Sequence, residues 1–257
     1  MQDNYFTNSE KEIISKYTYY NKNLPSVFGT DEIIFFNDGY VELDDYDYPL
    51  PLEIKLSKKY LSWRYQVSMY KKLLDSADIY HNCKSTIVDV SCGPGGGTSF
   101  YRDYYNFDKV IGIDINPLHI DICKKRNNNI DYINTSALRT QLPDESVDIV
   151  VSVEAARYYE DMNLFLEEAW RILTPGGKLI ISSRDFINMF PYYKNNLFKL
   201  ISWEDITRNV RTSAAISKYS IQKIDPHNII ACHIEADESV YRNPDIIYYV
   251  VVMQKPI

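Results

Sequence analysis

The run Ile87-Val88-Asp89-Val90-Ser91-Cys92-Gly93-Pro94-Gly95-Gly96-Gly97-Thr98 constrains this chain more than any other segment. It opens as a β-branched stretch suited to a strand, breaks into a dense glycine turn, and continues into polar and aromatic residues suited to a helix start. A strand leading through a glycine turn into a helix leaves bare backbone N–H groups and a helix N-terminus facing a ligand. Glycine suits the place because the chain must bend sharply and approach that ligand without a Cβ in the way. Sixteen residues beyond Gly93, Lys109-Val110-Ile111-Gly112-Ile113-Asp114 reads as a second strand ending on a carboxylate. In nucleotide-binding α/β folds such an acid accepts hydrogen bonds from a ribose diol. Together the two segments imply an adenosine-containing cofactor.

The details of the turn separate the cofactors. Gly93-x-Gly95-x-Gly97 lacks the third glycine of a dinucleotide fingerprint, Thr98 or Phe100 standing in its place, and no Gly-Lys-Ser/Thr follows as a triphosphate loop requires. Asp89, four residues before the first glycine, would repel a diphosphate and attract an ammonium or sulfonium. S-adenosyl-L-methionine fits that charge better than NAD or ATP.

Asp89-x-x-Cys92-Gly93-x-Gly95-Gly96-Gly97 followed by Gly112-Ile113-Asp114-Ile115-Asn116-Pro117 resembles motif I and the acidic second strand of class I methyltransferases. Leu142-Pro143-Asp144-Glu145-Ser146-Val147-Asp148-Ile149-Val150 is similar to their approach to strand four. Phe165-Leu166-x-Glu168-x-x-Arg171-Ile172-Leu173-x-Pro175-Gly176-Gly177 is similar to the helix and turn that follow. Phe36-Asn37-x-Gly39-Tyr40, Tyr65-Gln66-x-x-x-Tyr70, Val153-Glu154 and Asp205-Ile206-Thr207-x-Asn209-Val210 resemble the phthiotriolone-type small-molecule O-methyltransferases, a branch acting on lipids and natural products. The resemblance runs from about Phe36 to Val210. It implies a Rossmann-like α/β fold with a seven-stranded, mostly parallel sheet whose last strand is antiparallel.

The bulk properties agree. A chain of 257 residues suits one α/β domain with an embellishment. A net charge of −7 and a pI near 5.2 argue against an electrostatically driven nucleic-acid binder. Lys124-Lys125-Arg126, the tightest basic triplet, reads as a solvated helix C-terminus. The four cysteines show no C-x-x-C spacing, so neither a metal site nor a disulfide framework is indicated. The apolar run Ile246–Met253 is too short for a membrane span, and Met1-Gln2-Asp3-Asn4 has no basic and apolar leader, so a cytoplasmic protein acting on a small molecule is expected. A homodimer is compatible with that reading.

Along the chain, residues 1–80 read as a helical cap, with an amphipathic stretch near Lys11–Tyr20 and a helix over Tyr65–Leu74, before a cofactor-binding domain over 81–257. Asp44 to Pro51 is loop-like. Strands are expected near 86–90, 109–113, 131–134, 147–153 and 178–183, with helices starting at Pro117 and burying Met162, Phe165, Leu166, Ala169, Ile172 and Leu173 on one face. Residues 187–222 read as an inserted helical lid, and 228–235 with 245–254 as a closing antiparallel hairpin.

The resemblance assigns roles around the turn. Asp89 and Ser91–Gly95, Ser91, Gly93 and Gly95 among them, would take the methionine end of the cofactor, Asp114 both ribose hydroxyls, and Ile115 one adenine face. Ser136-Ala137 falls where relatives carry an acid and a small residue that read the adenine. Ser136 is the weaker acceptor of the two. Ser152 ends strand four beside the sulfonium. Relatives carry a histidine three residues after Glu154, where this chain has Arg157, which cannot be a general base. The base is then Glu154, Tyr158 or His119, or the acceptor is acidic enough to need none, with Arg157 free to bind an acceptor carboxylate or enolate. Substrate contacts are implied for Tyr40, Tyr65 and Arg184, the last within Ser183-Arg184-Asp185, whose charges are exchanged relative to relatives. A non-methylating protein that keeps the cofactor structurally is the alternative function.

Overall fold

The computed structural model describes residues 6–23, 35–52, 55–81, 84–127, 129–186, 196–224 and 243–257. Strands β1 (Thr86–Val90), β2 (Lys109–Asp114), β3 (Asp131–Asn134), β4 (Val147–Val153), β5 (Leu173–Phe186), β6 (Lys199–Asp205) and β7 (Ile246–Gln254) form one seven-stranded sheet in the order β3-β2-β1-β4-β5-β7-β6. The first five pair in parallel, and β7 runs antiparallel to both β5 and β6. The expected class, a mostly parallel sheet with a reversed last strand, is the observed one.

A central parallel strand is buried on both faces, and its alternate residues feed two cores. Ile87, Ile149, Val151, Ile180 and Val250 face one; Val88, Val90, Val150, Leu179, Ile181 and Val251 face the other. The first face is covered by α2 (Lys58–Leu61), α3 (Arg64–Ser76) and α4 (Gly96–Tyr104) through Tyr60, Val67, Leu73, Phe100 and Tyr101. Residues expected to form a cap therefore share a core with β1. The second face is covered by α6 (Met162–Ile172), whose buried Met162, Phe165, Leu166, Ala169 and Ile172 are the stripe read from spacing. Asp161 caps that helix by accepting from Asn163 and Leu164 N–H groups at 2.8 and 3.2 Å.

Two local readings change. Pro175-Gly176-Gly177 ends α6 as expected, yet Leu173 already pairs with Val147, so the triplet lies in the irregular start of β5, before the regular ladder resumes at Ile149↔Lys178. The region read as a helical lid is corrected: 187–195 lie outside the described residues, Lys199–Asp205 is strand β6, and α7 (Thr207–Ile224) follows. β6 is an edge strand whose residues alternate between exposed and half-buried, so it needs no apolar run to be a strand. The expected strand over 228–235 also lies outside the described residues, whereas β7 occupies the other expected stretch.

Two glycines set the geometry of the turn after β1. Gly95 adopts φ +82° at the N-cap of α4, a left-handed conformation open to glycine. Gly97 has ordinary helical geometry, but a Cβ there would fall inside the Tyr70 ring of α3. Tyr70 thus locks the cap helix against the turn. Gly97→Ala should destabilise the protein by about 1–3 kcal/mol through overpacking, despite alanine's better helix propensity. Urea unfolding would show a lowered midpoint at unchanged slope; an unchanged or raised midpoint would remove this contact as a constraint.

Candidate active site

The C-terminal ends of β1, β2, β3 and β4 converge on one cleft, the crevice where open α/β sheets bind ligands. Its empty volume, open mouth included, is about 920 Å³. The strand ends and the loops after them supply Ser91 and Gly93, Asp114 and Ile115, Ser136 and Ala137, and Val153 and Glu154, and aromatic walls come from Tyr17, Phe35, Phe36, Tyr70 and Tyr158.

Asp114 organises the floor. Its Oδ2 accepts the Gly93 N–H at 2.8 Å, which fixes the glycine turn against the end of β2. Its Oδ1 accepts the Asn116 N–H at 2.8 Å and meets His119 Nδ1 at 2.9 Å. Because a carboxylate only accepts, His119 donates to it from Nδ1. Nε2 is buried with no hydrogen-bond partner among the described residues, and His119 lines the cleft. The helix that carries it, α5 (Pro117–Arg126), starts at Pro117 as read from sequence and is capped by Asn116, whose Oδ1 accepts the Leu118 N–H at 2.9 Å. Asn134 Nδ2 donates to the carbonyls of Asp114 and Ile115, pinning the same loop from β3.

The β4 end is built around strained and buried polar groups. Ser91 and Glu154 both have positive φ, +65° and +53°, a conformation costly for residues with a Cβ and concentrated at functional sites. The Glu154 Oε2 accepts the Asp38 N–H at 3.1 Å, while its Oε1 is buried without a partner among the described residues. Burial, reinforced by the charge of Asp38, pushes the Glu154 carboxyl well above the usual range. Arg157 lies outside the cleft lining, with Nη2 donating to the Tyr158 hydroxyl at 2.9 Å and its guanidinium 4.5 Å from the Tyr158 ring centre. Burial opposes ionisation of Tyr158, but the Arg157 charge, hydrogen bonds from Tyr17 and Arg157, and the Lys16 charge bring its phenol below the ordinary value. Tyr17 is pushed the other way by burial and by its neighbour Tyr158, so it remains the donor of the pair.

Tyr159 and the cleft-facing residues of the first helix were not singled out in the sequence reading. The Tyr159 hydroxyl bridges Ser91 Oγ at 3.1 Å and Ser152 Oγ at 2.9 Å, tying the β1 turn to β4. Helix α1 (Asn8–Asn23) lays Ile13, Tyr17 and Glu10 over the cleft. Thr7-x-x-Glu10 is a capping box, the one local signal that marked this helix start: Glu10 N–H donates to Thr7 Oγ1 and Thr7 N–H to Glu10 Oε2.

Other expected residues lie elsewhere. Gly95 sits behind the cleft at the start of α4, and Ser152 is fully buried under Tyr159. Tyr40 and Tyr65 line a separate groove with Lys71 and Lys72. Arg184 pairs with Asp38 at 3.6 Å and donates to the Tyr248 hydroxyl at 3.1 Å, reaching Glu154 through Asp38. Asp89 is 1 % exposed beneath the turn, and both its carboxylate oxygens lack a partner among the described residues. Among those residues no group of three His, Cys, Asp or Glu is arranged to hold a metal, and no helix is long and apolar enough to cross a membrane.

Burial lifts the Asp89 carboxyl well above its ordinary value, with Asp114 adding to the effect. A group raised in this way contributes stability fully below the unfolded carboxylate range and loses it as pH rises through the folded value. Asp89→Asn should therefore raise the melting temperature of the ligand-free protein near pH 7.5, and the gain should shrink toward about pH 4, each kcal/mol being worth about 2–4 °C. Thermal unfolding at several pH values tests this; a variant no more stable than wild type near pH 7.5 contradicts it.

Comparison with known proteins places this geometry. Residues 88–181 match the family described as a methyltransferase domain. The chain is 33% identical over 151 residues to a phthiotriol/phenolphthiotriol dimycocerosates methyltransferase of Mycobacterium tuberculosis, covering 58% of this chain and 53% of that one. It is 30% identical over 149 residues to a fatty-acid O-methyltransferase of Mycolicibacterium smegmatis, covering 57% and 51%. The matched part thus spans about half the length of these curated relatives. A Streptomyces coelicolor geranyl diphosphate C-methyltransferase, solved with S-adenosyl-L-homocysteine, superposes with a TM-score of 0.73 at 16% identity over 98% of this chain and 99% of that one. The cyclase SpnF superposes with a TM-score of 0.70 at 16% identity over 98% of both chains. Residues 88–181 match the methyltransferase-domain family, and the chain carries the fold of the methyltransferases on which it superposes.

Proposed function

We propose that this protein transfers a methyl group from S-adenosyl-L-methionine to an oxygen of a small lipophilic acceptor. The observation that carries the reading is one cleft holding Asp114 and His119 at one end and Glu154 and Tyr158 at the other, walled by aromatic rings. The residues present fit that cofactor: the buried Glu154 oxygen without a partner among the described residues suits a cationic ligand, and Gly93 lets a ligand approach the turn closely. When bound, the cofactor supplies a methyl carbon already activated by a positive sulfur.

The protein's part is holding, orienting and excluding water. An ionised carboxylate offers about four lone-pair sites. At Asp114, Gly93, Asn116 and His119 take three of them. Asp114 then has room for one ribose hydroxyl, and His119 Nε2 accepts the other. Tyr158 is the proposed general base in place of the missing histidine, because Arg157 and Tyr17 both stabilise its phenolate. Oxygen is favoured by that base and by the fatty-acid O-methyltransferase relative; aromatic walls favour a lipophilic acceptor. The net charge of −7 supports a small-molecule rather than nucleic-acid partner.

Calorimetric titration with S-adenosyl-L-methionine, then mass spectrometry of lipophilic hydroxyl and carboxyl compounds incubated with both, tests the whole. Binding with a product heavier by one methylene is expected. Binding without methylated product would favour the second reading, a non-methylating protein on this scaffold, which Arg157 at the histidine position supports. No binding would overturn the cofactor. Asp114→Ala should weaken S-adenosyl-L-homocysteine roughly 10- to 150-fold, the worth of a hydrogen bond to a charged group.

Tyr158→Phe should lower turnover roughly a hundredfold or more. In the wild type the rate should rise with pH as Tyr158 ionises, the limb lying below the ordinary tyrosine range because its phenol is lowered. Removing the guanidinium in Arg157→Met should move that limb to higher pH. A pH–rate profile that Arg157→Met leaves in place would remove Tyr158 as the base.

A further inference from the structure

Ser136 falls where the resemblance to class I methyltransferases implies an acid toward the adenine, and in the structure its hydroxyl oxygen already accepts the Leu138 N–H at 3.1 Å. An acid is nevertheless present. Glu10, brought in by α1, lines the same cleft as Ser136, Ala137 and Leu138. Its side chain is 7% exposed. Glu10 Oε2 is fully used, accepting the Thr7 N–H at 2.8 Å and Arg139 Nη2 at 3.1 Å. Glu10 Oε1 is buried and has no hydrogen-bond partner among the described residues. Arg139 ties this carboxylate to the loop of the missing acid, since its own N–H donates to the Ser136 carbonyl at 3.1 Å. A second anchor holds the helix in place: Thr7 Oγ1 donates to Glu160 Oε2 at 2.6 Å. Further along α1, Asn116 Nδ2 reaches Thr18 Oγ1 at 3.2 Å.

We propose that Glu10 replaces the absent acid and accepts the exocyclic amino group of the adenine through Oε1. The inference rests on the cofactor reading above. An isolated buried carboxylate oxygen is costly unless a donor meets it, and an aromatic amine is a donor of the right kind. A purine bearing a carbonyl oxygen at the same place would set two acceptors against each other.

The test is calorimetric, using S-adenosyl-L-homocysteine and S-inosyl-L-homocysteine, in which that amino group is a carbonyl oxygen. Wild-type protein should bind the inosyl compound at least about tenfold more weakly. Glu10→Ala should bind S-adenosyl-L-homocysteine roughly tenfold more weakly and discriminate between the two by no more than about twofold. Because Glu10 also caps α1, the variant could weaken binding by loosening that helix. The double variant Glu10→Ala with Ser136→Asp separates the two effects, since an acid restored on the loop after β3 should recover the discrimination without restoring the cap. Undiminished discrimination in Glu10→Ala, or none in the wild type, overturns the proposal. So does loss that Ser136→Asp does not recover. Failure of wild-type protein to bind either compound overturns the cofactor reading itself, and this role with it.

Discussion

The carboxylate of Asp114 is the interaction on which the site depends. It holds the Gly93 N–H of the turn after β1, the Asn116 N–H at the start of α5, and the imidazole of His119 on that helix. The turn after β1 and the start of α5, brought side by side by the parallel pairing of β1 and β2, are thereby locked at one point. Charge-assisted hydrogen bonds of this kind are shorter and roughly twice as strong as neutral ones, and at 5% exposure the carboxylate has little water to compete for it. It also orients His119, whose buried Nε2 has no partner among the described residues and lies at the cleft.

Around that anchor the protein keeps groups that a stable core would discard. Asp89 and Glu154 hold unpartnered buried oxygens, and Ser91 and Glu154 take a left-handed backbone. Each of these works against folding on its own. They are tolerated because the sheet beneath is packed on both faces, from Ile87 and Val151 on one side to Val150 and Leu179 on the other. The combination is that of a rigid scaffold carrying a site whose polar groups are oriented before a ligand arrives.

The N-terminal elements complete the site and do more than cover it. Tyr70 of α3 occupies the space a Cβ at Gly97 would need, so the cap helix and the cofactor turn are mutually shaped. Tyr17 of α1 contacts Phe36, His119 and Tyr158 by ring edges and faces, linking the Asp114 end of the cleft to the proposed base. Tyr158 in turn owes its lowered phenol to cations contributed by two separate segments, Arg157 beside it and Lys16 on α1.

What was legible in the sequence is what depends on neighbours along the chain. The strand-to-glycine-to-helix run, Asp114 at the end of a β-branched strand, Pro117 at a helix start and the three-and-four spacing from Met162 to Ile172 all act through local backbone geometry and periodicity. Each is found where the residues indicated. Edge strand β6 was hidden because a strand paired on one side and exposed on the other carries no continuous apolar signal. Tyr159, Glu10 and Tyr17 were hidden for another reason. Their partners lie far away in sequence: Tyr159 bonds Ser91, Glu10 meets Arg139, and Tyr17 lies against His119. Tyr40 and Tyr65 went the opposite way, into a groove with Lys71 and Lys72. The sequence by itself determined the parallel core strands, the glycine turn and the acid that ends β2, since hydrophobic period and glycine conformation are local. Which buried polar atoms face one another across the cleft was decided only when the sheet and α1 brought distant residues within hydrogen-bonding reach, a distance no spacing along the chain encodes.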